Sequence, residues 1–141
     1  MVKENIKHTV DHCIALFNSG LINEPINTLT NLSSKQPDNL LIINTLVQCF
    51  LQINNLAMAT LWIEKSLSVK KIQPDLLLNY AVLLNEIGNY IEAISQINLS
   101  IDFNPKSSLA HLDKAFILRN LNLIDDSISS AKKAISLDKT A

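Results

Sequence analysis

At 141 residues, with 12 basic and 13 acidic side chains and 48% hydrophobic residues, the chain is long enough for one core and carries almost no net field. That balance argues against a nucleic-acid surface, and the lack of any run of 18 apolar residues argues against a membrane span. Only two glycines and four prolines, with no sustained apolar alternation, predict helix throughout.

Pro37 and Pro105 stand 68 residues apart, twice 34, and blocks cut at Ile6, Leu40, Pro74 and Ser108 align without insertion, the last ending at Ala141. A 34-residue period predicts a repeated pair of helices. In the first block Cys13 and Leu16 lie on the first helix, Gly20 marks a turn, and Ile22, Pro25 and Leu29 form the stripe of the second. His8 and His12, four apart with Asp11 and Cys13 beside them, share a helical face, but a zinc site needs three or four ligands and no third is visible. No metal is expected there, and His12 reads as a partly exposed residue at an uncapped end.

The second block repeats the pattern with Val47, Phe50, Asn54, Leu56, Ala59 and Ile63. Its Cys49 joins Cys13 as a predicted buried free thiol on a first helix, and nothing supports a disulfide between them. The third block carries Leu77, Tyr80, Ala81, Leu84, Gly88, Tyr90, Ala93, Ile97 and a closing Pro105. The fourth has Ala115, Leu118, Asn122, Ile124, Ser127, Ala131 and Ala134, with Lys139 in place of the proline. In register, Cys13, Val47, Ala81 and Ala115 are small, as close helix approach requires. Gly20, Asn54, Gly88 and Asn122 are the residues that best tolerate a left-handed helix stop.

These columns resemble the tetratricopeptide repeat family over residues 6–141, most fully in "PDLLLNYAVLLNEIGNYIEAISQINLSIDFNP". The resemblance implies an all-α fold, a right-handed α–α superhelix or solenoid of about eight antiparallel helices. It implies one domain over 1–141, with repeats 6–39, 40–73, 74–107 and 108–141. It also implies that first helices line a concave face. The family's inward columns fall on Lys7, Val10, Asp11, Ile14, Phe17 and Asn18, then on Leu41, Asn44, Thr45, Gln48, Leu51 and Gln52. In the last two blocks they fall on Asp75, Leu78, Asn79, Val82, Asn85 and Glu86, then on Leu109, Leu112, Asp113, Phe116, Arg119 and Asn120. Amides offer both donor and acceptor to a peptide backbone, and aliphatic or aromatic neighbours offer pockets. The candidate peptide-binding residues are therefore Asn44, Gln48, Asn79, Val82, Asn85, Leu112, Phe116 and Asn120.

The lysine, asparagine and arginine clamp of the repeats that hold acidic chaperone tails is absent, because Val10, Ile14, Thr45, Asp75 and Asn79 stand on its columns. Asn79 is similar to the asparagine found at the same column in superhelices that precede protein glycosyltransferase domains. That likeness supplies an alternative to a scaffold: an N-terminal substrate-recruiting domain or fragment of a bacterial glycosyltransferase or sulfotransferase.

No glycine-rich phosphate loop or nucleophile elbow is present, so the chain is expected to be non-enzymatic and to need no cofactor. The pairs Ser33-Ser34, Ser107-Ser108 and Ser129-Ser130 read mostly as capping or solvating residues, and Glu92, Asp125 and Asp126 as favourable charges at second-helix starts. "MVKENIKHTV" lacks the apolar core of a secretory leader, which predicts a cytoplasmic protein with protein or peptide partners. The fourth block has no covering helix over Ile128, Ala131, Ile135 and Leu137. This predicts either a piece of a longer protein or a homo-oligomer formed through that end.

Overall fold

A computed structural model describes residues 2–140; Met1 and Ala141, the outer limits of the expected domain, lie outside the described residues. Among the described residues there are eight α-helices and no strand. They are α1 (Val2–Asn18), α2 (Asn23–Lys35), α3 (Leu40–Gln52), α4 (Leu56–Val69), α5 (Pro74–Glu86), α6 (Tyr90–Phe103), α7 (Ser108–Asn120) and α8 (Ile124–Thr140).

Four of the helix starts have a local cause. Asn39 and Asn55 accept the Ile42 and Met58 amides at 3.3 and 3.2 Å, Ser107 accepts that of Ala110 at 3.2 Å, and Pro74 opens α5 where its missing N–H is no loss. The four hairpin turns are built alike. The Gly20, Asn54, Gly88 and Asn122 backbones have φ of 104°, 56°, 87° and 61°. The amide of each donates to the carbonyl three residues back, and the next residue's amide reaches five back, to Leu16, Phe50, Leu84 and Leu118 at 2.9–3.1 Å. This is the Schellman arrangement, which needs a left-handed residue at that one position.

The chain divides into two compact units, Met1–Lys71 and Ile72–Ala141. In the first, α1 packs on α2, α2 on α3 and α3 on α4, while the first helices α1 and α3 lie side by side. Val10, Leu29, Ile42, Ile43, Leu46, Val47, Ala59 and Ile63 are sealed from solvent. Buried Trp62 carries the Lys65 ammonium 4.8 Å above its ring, while its indole N–H has no hydrogen-bond partner.

In the second unit α5, α6, α7 and α8 pack in the same order, with α5 and α7 side by side, around Ala81, Leu83, Ala93, Ile97, Ala110 and Ile117. The stripe read from the sequence is followed closely through Leu29, Ile63 and Ile97, all sealed. It weakens in α8, where Ser127 and Ala131 are half-buried; Ser127 compensates by donating its hydroxyl to the Ala115 carbonyl at 2.7 Å.

Ser33 is not a solvating residue but is buried, receiving a long hydrogen bond of 3.5 Å from Lys65 Nζ. Two serines not singled out from the sequence are also buried: Ser66 donates to Asn44 Oδ1 at 2.6 Å, and Ser100 to the Pro74 carbonyl at 2.8 Å.

Candidate functional site: the first-helix faces

In the first unit, α1 and α3 form an open groove of about 360 Å³. From α1 come Ile14, Phe17 and Asn18; from α3 come Leu41, Asn44, Thr45, Gln48, Cys49 and Gln52. Side chains three, four and seven apart share a helix face, so the 34-residue register of the two first helices gathers these positions. Ile14 and Leu41 are exposed, while Phe17 and Cys49 form a buried floor.

None of the lining side chains is charged at neutral pH. Burial pushes the Cys49 thiol up from its ordinary pKa, with Cys13 adding to the effect; Cys13 is raised first by its own burial and then by Glu24. Both thiols are free, buried and protonated at neutral pH.

The polar liners differ in how far they are committed. Thr45 donates to the Leu41 carbonyl at 2.6 Å inside its own helix. Asn44 is half-buried, and its Oδ1 accepts from Ser66, so α4 fixes the amide's orientation. Gln48 and Gln52 are exposed along the rim.

The structure thus brings Asn44 and Gln48 together in one groove. It also places Ile14, Phe17, Asn18, Leu41, Thr45 and Gln52 of the inward columns there, and adds Cys49, whose column gave no such signal.

The other six candidates lie in the second unit. Asn79, Val82 and Asn85 are half-buried on α5, and Leu112, Phe116 and Asn120 are exposed on α7. Asn120 Nδ2 donates to Asn85 Oδ1 at 2.8 Å, tying the two first helices together. Arg119 stacks its guanidinium 5.4 Å from the Phe116 ring centre. Leu112 also lines a depression of about 240 Å³ on the α7–α8 side, with Ser108, Leu109, Ala134, Ile135 and Asp138. Of the expected association patch, Ile128 and Ile135 are exposed while Ala131 and Leu137 are half-buried.

His8 and His12 are both exposed on α1, and no group of three or more His, Cys, Asp or Glu among the described residues is placed to hold a metal ion. The Pro105 carbonyl can only accept, so His111 donates its Nε2–H to it at 3.0 Å and braces the start of α7. No described helix is long and apolar enough to cross a membrane.

No family model and no curated protein matches the chain. Solved structures of MamA, a TPR-like helical-repeat protein, do resemble it. MamA from AMB-1 is 21% identical with a TM-score of 0.85, covering 94% of this chain and 73% of that one. MamA from Desulfovibrio magneticus RS-1 is 13% identical with a TM-score of 0.86, over 96% and 76%. A further MamA crystal structure reaches a TM-score of 0.87 at 15% identity, over 96% and 80%. At these identities the likeness establishes the fold, an all-α helical-repeat solenoid.

Proposed function

We propose that the chain is a non-catalytic tetratricopeptide-repeat module that holds an extended peptide of a protein partner against its first helices. The observation that carries this reading is the α1–α3 groove: about 360 Å³ of open space whose lining combines apolar side chains with amides and holds no charge. An extended peptide exposes backbone N–H and C=O groups at regular intervals, and Gln48 and Gln52 meet both kinds with one side-chain type. Ile14, Leu41 and Phe17 supply apolar contact for side chains that such a segment directs into the groove. No observation favours the transferase alternative over this one.

Selecting decapeptides from a display library on the immobilised chain tests the proposal. Affinity for a selected peptide is expected to fall at least about fivefold in Leu41→Glu and in Gln48→Ala, the loss of one desolvated apolar contact or one hydrogen bond. Leu61→Glu, at a residue 55% exposed on α4, serves as the control and leaves affinity unchanged. Equal affinity across all three variants overturns the proposal.

A further inference from the structure

The two first-helix faces are built on the same columns and differ in charge. Shifting the α1–α3 groove by 68 residues places Val82 where Ile14 stands, Glu86 at Asn18, Leu109 at Leu41, Asp113 at Thr45, Phe116 at Gln48 and Asn120 at Gln52. Two neutral polar positions have thus become acids, and the apolar content is kept: Leu109 is 56% exposed and Phe116 42%. Asp113 stands one turn from both on α7, so the three share a face.

The charged groups on these columns of the second unit are Asp75 and Glu86 on α5 and Asp113 and Arg119 on α7. The one base is stacked on Phe116 and makes no ion pair with Asp113. Lys114, the next residue, faces another side of α7, in a depression with Asp126 and with Ile94 and Asn98 of α6. Half-buried Asp113 therefore has no cationic partner among the described residues, and burial raises its carboxyl above the ordinary pKa. An ionised carboxylate left this way costs the fold stability and is relieved by an incoming cation.

We propose that the α5–α7 face takes a basic residue of a peptide, a lysine or arginine flanked by apolar side chains, whose cation lies against Asp113 while its neighbours cover Leu109 and Phe116. The inference rests on the peptide-binding reading above and adds the charge of the ligand to it.

Three synthetic Leu/Asn nonapeptides with a central lysine, glutamine or glutamate, titrated by fluorescence anisotropy at about 50 mM salt, where exposed charges are weakly screened, test it. The lysine peptide is expected to bind about fivefold or more tightly than the glutamine peptide, and the glutamate peptide weakest. Asp113→Asn brings the lysine-to-glutamine ratio close to one, while Asp75→Asn changes it less.

Thermal melting separates this from a structural defect. A carboxyl whose pKa is raised by folding binds its proton more tightly in the folded chain, so its contribution is intact at low pH and lost as pH rises through the raised value. Asp113→Asn is therefore expected to melt at or above the wild-type temperature at pH 7 while losing the preference for lysine. If the three peptides bind equally and their NMR shifts still fall on first helices, the charge inference is overturned and the peptide-binding reading stands. If none of the three binds even at millimolar concentration, both are overturned.

Discussion

Four backbone angles set the period of this molecule. Gly20, Asn54, Gly88 and Asn122 turn the chain with positive φ, and a side chain added at either glycine meets no atom within 4 Å. The requirement at these positions is therefore one of backbone conformation rather than space. Gly88→Ala is expected to cost about 1–2 kcal/mol, the usual penalty for an alanine in a left-handed conformation, whereas Asn54→Gly changes stability by about 0.5 kcal/mol or less. Urea denaturation of the two variants checks this, and a Gly88→Ala protein as stable as the parent contradicts it.

These positions were legible in the sequence because only glycine and asparagine meet the constraint cheaply, so it leaves a local trace. The buried serines left none. A hydroxyl that caps a helix and one that bonds across two helices look identical until the partner, Asn44 for Ser66 or the Pro74 carbonyl for Ser100, is brought in from 22 or 26 residues away.

Between helices, the decisive contacts are made by columns rather than by single residues. Ala59 and Ala93 are fully buried in one column and Leu29, Ile63 and Ile97 in another, which is why the hairpins could be anticipated from spacing alone. A third column, read from the sequence only at Ala134, holds Ser66, Ser100 and Ala134, all buried. Alanine fits that column, so Ser100→Ala is expected to remove one hydrogen bond without opening a large cavity and to cost about 1 kcal/mol. Ser66→Ala should cost a similar amount and also release the Asn44 amide, so that only this variant alters peptide affinity. Paired denaturation and binding measurements distinguish the two, and equal effects on binding contradict the link from Ser66 to the groove.

The groove itself was partly legible. Family columns pointed to Asn44 and Gln48, and helical geometry then joined them to Ile14 and Leu41. Cys49 was legible as a buried thiol but not as part of the groove floor, because its column lies outside the inward set. Unpaired Asp113 depends on which bases fail to reach it.

At the scale of the whole molecule, two compact units each present a first-helix face, one with an uncharged groove and one with an excess of acids, on a chain whose overall charge is only −1. Composition showed the near-neutral total; the uneven placement became visible only with the register of α1, α3, α5 and α7 known. These helices are the proposed working surface, with α2, α4, α6 and α8 as their support.

Titrating the ¹⁵N-labelled chain with a display-selected peptide and following its amide spectrum tests that division most directly. The largest shifts are predicted on first-helix residues, Ile14, Gln48 and Gln52 in one unit or Asp113 and Phe116 in the other, with Leu61 and Ile91, exposed on α4 and α6, unmoved. Tight binding whose shifts fall instead on α2, α4, α6 or α8 would contradict the account.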